Sequence, residues 1–553
     1  MLNASRPTRW RDWREIDWFQ TTRAVKGIRQ QIYRAAQNRD HKKLRSLQRL
    51  MLKSRANAEL SVRQVTQINK GRKTPGVDGQ VALTPDERTE LIKDLLQDQT
   101  WKTQPAKRVY IPKADGKQRP LGIPTIADRA RQAMVKNALE PEWEARFEPL
   151  SYGFRPGRDC HDAIGRIFRI ALPHSRKHWV VDADIKGAFD NISHDALLET
   201  LNGFPAKELI KQWLKAGVLD KGVFADTEQG TPQGGVISPL LANIALTGME
   251  KAIGVKYEHR KDHVIAKSKR VLVRYADDFV IFTETRKDAR AARRKIAHWL
   301  RGRNLELSPD KTRIRHVRDG FDFLGFNIRL YRVRGTELGK LLIKPSRKSV
   351  QVFKNRLKQE WQSLQGHNAE TILAKLNPVL LGWGNYYRKV VSQESFEAID
   401  SFNYRRAMLW GKLTHPRKTH NWTQREYFNL NHAQHKWVFG SQNTGLHLMQ
   451  LGYLPIQRHI LIKHGASPDN PDDRKYWQKR DLRKVELLPT LRHKRIARQQ
   501  KGLCEVCGDT LFGDESLHIH HRIPKSEGGK DTYKNLALIH ANCHHQQHKR
   551  RTV

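Results

Sequence analysis

The 553-residue chain carries 102 lysines and arginines against 57 acids, a formal net charge of +45. Its 38% hydrophobic content supplies several globular cores, which excludes a disordered basic tail. No apolar run approaches the roughly 18 residues of a spanning helix, and Met1-Leu2-Asn3-Ala4-Ser5-Arg6 lacks a signal-peptide core; the charge points to RNA or DNA rather than a membrane, inside a cell. In chain order, residues 19–70 read as basic amphipathic helices, with Val25, Ile28 and Ile32, then Leu44, Leu47, Leu50 and Met51, at helical spacing. Pro75-Gly76-Val77-Asp78-Gly79 marks a loop. Thr84-Pro85-Asp86-Glu87 opens a further helix with capping-box spacing and proline in its first turn. Strands and turns fill 109–123; a helix over 126–147, a strand over 178–185 and a hairpin over 271–282 follow. Residues 345–430 return to a basic, Trp- and Tyr-rich helical pattern. Ser467-Pro468-Asp469-Asn470-Pro471-Asp472-Asp473 is the clearest linker-like stretch, and a basic helical run over 474–500 leads from it into a cysteine-bearing tail.

The hairpin reads Val271-Leu272-Val273-Arg274-Tyr275-Ala276-Asp277-Asp278-Phe279-Val280-Ile281-Phe282, two apolar strands with adjacent carboxylates at the turn. Taken alone this is either a polar turn or a metal-binding tip. Upstream, in Trp179-Val180-Val181-Asp182-Ala183-Asp184-Ile185, alternation puts Asp182 and Asp184 on one face and Val181, Ala183 and Ile185 on the other. If the two segments are neighbours, Asp184 converges with Asp277 and Asp278 in a cluster suited to two Mg²⁺ ions.

Tyr275-Ala276-Asp277-Asp278 and Asp184-Ile185-Lys186-Gly187-Ala188-Phe189-Asp190 resemble the two catalytic motifs of reverse transcriptases, more narrowly of the proteins encoded by mobile group II introns. The order of the other motifs is similar: Val109 to Pro124, Ser151-Tyr152-Gly153-Phe154-Arg155-Pro156-Gly157, Gly230-Thr231-Pro232-Gln233-Gly234-Gly235, and Phe323-Leu324-Gly325-Phe326, together spanning about 60–330. The resemblance implies that Asp184, rather than Asp182, is the third metal ligand, with Tyr275 in support. Lys113 and Arg119 flank a short glycine turn and can both reach a triphosphate, or be a solvated basic hairpin. Phe189 is implied as the gate that excludes a ribose 2′-hydroxyl, with core packing as its other reading. Gln233, before two glycines, is placed against the incoming nucleotide. Asp190 caps or bridges locally.

Residues 345–430 resemble the thumb, or maturase X, domain of the same family. Trp383 and Tyr386 either stack on bases or, as the commoner fate of single aromatics, pack in a helical core. In the tail, Cys504/Cys507 and His540/Cys543 form two pairs with two-residue gaps, which suit a tetrahedral Cys₃His zinc site. The remaining pattern resembles HNH nucleases. That match implies His521 as general base, His520, His544 and His548 as ligands of one catalytic metal, and Asn535 as the residue orienting His521 through its backbone or side chain. His518 and His545 are surplus. A zinc ribbon that binds DNA without cutting it is the other reading.

The expected fold is multidomain α+β: an N-terminal basic helical extension (1–60), right-hand polymerase fingers and palm (61–335), an α-helical thumb (336–430), a DNA-binding segment (431–495) and a small ββα-metal HNH domain with a zinc site (496–553). The resemblance implies an RNA-directed DNA polymerase of a mobile group II intron that assists splicing of its intron RNA and nicks target DNA to prime synthesis. Two Mg²⁺ ions, a structural Zn²⁺, a divalent HNH metal (Mg²⁺) and dNTP substrates go with it. The implied partners are intron RNA, target DNA and an RNA template with a DNA primer, with no membrane, in the bacterial cytoplasm or an organelle matrix. A maturase dedicated to splicing, or a reverse transcriptase co-opted for host defence or diversification, are the alternatives.

Overall fold

The computed structural model describes residues 12–97, 101–112, 118–260, 263–428 and 437–551. The basic N-terminal run forms three helices, Trp18–Gln37, His41–Leu52 and Arg55–Arg63. Asp17, Asp40 and Ser54 cap them by accepting from first-turn backbone N–H groups. Their apolar stripes, including Val25, Ile32, Leu44 and Met51, pack against Val135, Ala138 and Leu139 of the Ile126–Glu144 helix. The Pro85–Gln97 helix has the expected capping box: Thr84 Oγ1 accepts from Glu87 N at 3.2 Å, and the Glu87 carboxylate accepts from Thr84 N at 2.8 Å.

The central sheet is antiparallel, in the order Arg313–His316, Trp179–Asp184, Asp278–Thr283, Val271–Tyr275. It is covered on both faces. Val181, Ala183 and Ile281 pack with Ala289, Ala292 and Ile296 of the Arg286–Arg301 helix. Val180, Val280 and Phe282 belong to a second core that runs through Phe321 and Phe326 into the thumb. By strand parity Asp182 and Asp184 share this second face. The hairpin Ala106–Pro112 with Gln118–Ile123 belongs to a separate fingers sheet.

Beyond the three-stranded sheet of Phe321–Phe323, Phe326–Val333 and Thr336–Pro345 lie the thumb helices Arg347–Ser363, Ala369–Tyr387, Gln393–Thr414 and His420–Phe428. Trp383 stacks on Phe353 at 4.6 Å between centroids, and Tyr386 stacks on Phe326 at 5.2 Å. Both rings are partly buried and pack against the core.

The linker-like reading of 467–473 is overturned. Ser467 and Asp469 are 0% and 5% exposed. The Asp469 carboxylate receives two hydrogen bonds from Arg29 on the first helix, at 2.8 and 2.7 Å. A polar Pro/Asn/Asp run is buried here because its acid meets a buried guanidinium. Close by, fully buried Asp162 accepts from His459, from Ile462 N and from Arg480, so this part of the expected DNA-binding segment is fastened to the palm.

The tail forms a hairpin, Leu517–His521 with Leu536–His540, followed by the Ala541–Arg551 helix. Its core is continuous with N-terminal residues: Leu511, Leu536 and Leu538 cluster with Trp13, Ile16, Trp18 and Val62. So short a unit cannot bury a large core alone; this one completes its core on the N-terminal segment. Among the described residues no helix is long and apolar enough to cross a membrane.

Candidate active sites

Strand register brings the acids together. Tyr275 pairs with Asp278, closing a two-residue turn of Ala276 and Asp277, and Asp184 lies directly across from Asp278. Lys311 Nζ donates to Asp184 Oδ2 at 2.6 Å. Burial, then the charges of Asp277 and Asp184, push the Asp278 carboxyl up to about 7. Asp277 is raised by burial, with Asp184 adding and Arg119 and Lys311 opposing. Asp182, raised to about 6 by burial, sits two residue pairs inward, opposite Arg313. Asp184 and Asp278 thus face each other across the strands, with Asp277 in the adjoining turn and Lys311 as the bonded cation, a donor set whose chemistry fits divalent Mg²⁺. Sequence reasoning did not single out Lys311, because nothing local announces that a loop lysine returns to a strand 127 positions away.

The sign of the resulting pH effect is fixed. A folded-state carboxyl raised from 3.8 to about 7 keeps its proton where the unfolded chain has lost it. Its contribution to metal-free stability is therefore present at low pH and is lost as pH rises through that window. In EDTA, Asp278→Asn should melt a few degrees above the parent chain at pH 8 and level with it near pH 4. Equal melting temperatures at both pH values would remove the electrostatic account.

Two further features hold the turn. Ala276 is left-handed, with φ 58°. A Cβ at Gly153 would fall 2.3 Å from Ala276 N, so only glycine lets the Ser151-Tyr152-Gly153 backbone reach the turn. That segment is tied to the hairpin edge by Tyr152 N donating to Arg274 O at 2.9 Å and Arg274 N to Leu150 O at 3.0 Å. Fully buried Arg274 donates through Nη1 to Asn243 Oδ1 at 2.9 Å and to Ala276 O at 3.2 Å, while Asn243 Nδ2 donates to Gly153 O at 2.8 Å. The sequence signal for this brace was a lone arginine inside an apolar strand.

Of the expected nucleotide-side residues, Lys113 lies outside the described residues. Arg119 is exposed on the fingers hairpin opposite Ile111, and its charge reaches Asp277. Phe189, half-buried, meets Phe154 edge-on at 6.0 Å. Gln233 Nε2 donates to the Asp190 carboxylate at 3.1 Å, which fixes its amide and gives Asp190 its bridging role. Thr231 N donates to Phe189 O at 2.6 Å, so the glycine-rich segment is fastened to the Asp184–Asp190 turn.

In the tail Cys504, Cys507, His540 and Cys543 are all buried, and their ligand atoms lie within 4.8 Å of one another. His540 Nε2 donates to Thr510 O at 3.0 Å, which leaves Nδ1 facing the sulfurs, 3.3 Å from Cys507 Sγ. These residues fit tetrahedral zinc. Arg63, buried on the fingers helix, donates to Cys543 Sγ at 2.9 Å and lies 4.6 Å over the Trp18 ring. Zinc removal should therefore loosen both partners. Chelation, or Cys504→Ser, should expose the tail and the Trp13–Trp18 segment to limited proteolysis together while the palm stays resistant, since structural zinc supplies on the order of 10 kcal/mol to such folds. Cleavage confined to the tail would contradict the shared core.

A second cluster joins His520, His544 and His548, with His544 and His548 Nε2 atoms 3.2 Å apart. Burial, then His548 and His520, lower His544 to about 4, so it is neutral and able to ligate at neutral pH. His521 Nε2 donates to Asp531 Oδ1 at 2.7 Å. Asn535 does not bond the imidazole: its backbone O accepts from Arg522 N, next to His521, at 2.8 Å, and its side chain clamps the following loop by accepting from Ile523 N at 2.7 Å and donating to Ile523 O at 2.9 Å and Lys530 O at 3.1 Å. Asp531, also bonded by Lys525 and Arg492, was overlooked because it lies in a polar loop with no motif of its own. Neither His518 nor His545 is in the three-histidine set; the two rings pack against each other, 6.0 Å between centroids.

Four family models match in chain order: the N-terminal domain of reverse transcriptase over 13–95, reverse transcriptase (RNA-dependent DNA polymerase) over 111–328, the group II intron maturase-specific domain over 350–428, and HNH endonuclease over 504–550. Protein YkfC of Escherichia coli K12 is 37% identical over 322 residues, 52% of this chain and 84% of that protein. The group II intron-encoded protein LtrA of Lactococcus lactis subsp. cremoris is 33% identical over 323 residues, 48% of this chain and 53% of that protein, so the match spans about half of that relative. Maturase-like protein 1 of Euglena gracilis is 24% identical over 379 residues, 67% of this chain and 76% of that protein.

Proposed function

We propose that this chain, which belongs to the reverse transcriptases encoded by group II introns and carries an HNH endonuclease domain, copies RNA into DNA from a target-DNA end that its own nuclease exposes, and assists splicing of its intron RNA. The observation that carries the reading is the register of Asp184 against Asp278 beside the Asp277 turn. Mg²⁺ held by these three carboxylates would supply the charge that acidifies a primer 3′-hydroxyl and neutralises departing pyrophosphate. The chain's own groups do the positioning. Arg119, with Lys113, takes the triphosphate, and the Phe189 ring lies under the sugar and selects dNTPs. Gln233, fixed by Asp190, borders the nucleotide. In the tail His520, His544 and His548 would hold a divalent metal that polarises water, and His521, oriented by Asp531, is placed to take the proton from that water.

The division into extension, fingers and palm, thumb, DNA-binding segment and nuclease at 60, 335, 430 and 495 fits this sequence of tasks. The partners are intron RNA, target DNA and an RNA template with a DNA primer, in the bacterial cytoplasm or an organelle matrix. The test is primer extension by the full chain on an RNA template, with dNTPs and Mg²⁺, alongside nicking of duplex DNA. Template-dependent DNA synthesis that prefers dNTPs over rNTPs is expected; absence of synthesis would overturn the assignment.

A further inference from the structure

We propose that the groove between the Arg286–Arg301 helix and the Arg313–His316 edge strand docks the phosphate backbone of a folded RNA, apart from the template–primer cleft. The groove encloses about 370 Å³ and is lined by Arg286, Arg290, Arg293 and Arg294, with residues 312–314 across from them. Positions i, i+4, i+7 and i+8 lie on one side of a helix and, over about 12 Å of its axis, span about three phosphates of one strand. All four arginines are exposed, and among the described residues none has a carboxylate partner. The acid on this helix, Asp288, is already engaged by Arg270. Elsewhere the fold pairs its inward arginines with acids, as in Arg29 with Asp469 and Arg155 with Glu144. Here it gathers guanidinium groups around a concavity and supplies no counter-charge, an arrangement complementary to a polyanion and suited to bidentate phosphate contacts.

Sheet parity places the helix arginines away from the polymerase centre, while Arg313, paired with Asp182 in strand register, reaches the groove at the sheet edge. The helix covers the face bearing Val181 and Ala183, whereas Asp182 and Asp184 share the other face. A primer end at the carboxylates is therefore on the opposite side of the sheet, and the groove needs a second polyanion. The choice of RNA rests on the proposed function. There DNA is handled at the catalytic face and at the nuclease tail, and the remaining nucleic acid to be held is the folded intron RNA.

The probe is a covalently closed RNA dumbbell, which has no 3′ end to enter the polymerase site, with a DNA dumbbell of the same sequence beside it. In the full chain, Arg290→Ala/Arg293→Ala/Arg294→Ala should bind the RNA dumbbell at least about tenfold more weakly. The slope of log affinity against log salt should fall by about two to three. Primer extension on a short RNA template with a DNA primer should be unchanged. The corresponding triple lysine variant keeps the charge and should keep the slope. An unchanged affinity and slope would overturn the proposal, as would an equal slope loss in the lysine variant, an equal loss for the DNA dumbbell, or a parallel loss of primer extension. Failure of the functional reading shows separately, as absence of primer extension in the parent chain.

Discussion

Asp277→Ala and Asp278→Ala should each lower RNA-templated primer extension to below about one-thousandth of the parent rate, the scale of loss when one anchor of a preorganised charge cluster is removed. The register leaves no substitute. Asp184 faces Asp278 directly, and Asp277 occupies the turn between Tyr275 and Asp278. Asp182 sits two residue pairs inward, raised to about 6 by burial. Removing either acid also leaves Lys311 as a larger share of the local charge, which opposes metal entry. The fold should survive, because the turn is held from behind by Arg274, Asn243 and the Gly153 backbone rather than by its carboxylates. Splicing assistance and RNA binding should persist in both variants. If cDNA is still made at a rate near the parent's, the polymerase centre lies elsewhere.

Gly153→Val separates position from chemistry at the same centre. It removes no donor or acceptor, yet its Cβ would overlap Ala276 N. A loss of primer extension with every carboxylate still present is the mark of a positioning role.

What was legible in the chain follows from the range of the forces involved. Helix caps, the acidic strand and the Tyr275–Asp278 hairpin are local, and each forms where its residues indicate. Alternation alone put Asp182 and Asp184 on one face of their strand. Zinc spacing was legible because four ligands in two pairs need little else. The contacts that tie the pieces together were not legible. Asp469 looks like linker until Arg29 is placed beside it, and the tail looks self-contained until Trp13 and Trp18 enter its core. Asn535 and Asp531 show the same limit at close range. Both are polar residues near His521, and only the folded loop decides that Asp531 reaches the imidazole.

That contact shapes the second large effect. His521→Ala should reduce target nicking by about a hundred- to ten-thousandfold, the usual worth of a positioned general base, and leave primer extension on a pre-formed end intact. The two activities separate because the nuclease tail shares its core with the N-terminal helices while the carboxylate cluster belongs to the central sheet. Asp531→Asn should cost less, roughly tenfold, because it leaves the imidazole in place and weakens only its orientation. Lys525 and His521 hold the Asp531 carboxyl well below the usual carboxylate range, so it stays an acceptor throughout the working pH range. Lys525 and Arg492 compete for the same carboxylate. Lys525 holds the other carboxylate oxygen, not the one bonded to His521, so Lys525→Ala leaves the His521–Asp531 bond in place and should not lower nicking as Asp531→Asn does, unless Lys525 also holds the DNA. A salt titration distinguishes the cases, since a lost phosphate contact weakens DNA binding and flattens its salt dependence by about one unit of slope. If His521→Ala nicks at the parent rate, the tail is a zinc-stapled DNA-binding unit and the primer end comes from another source.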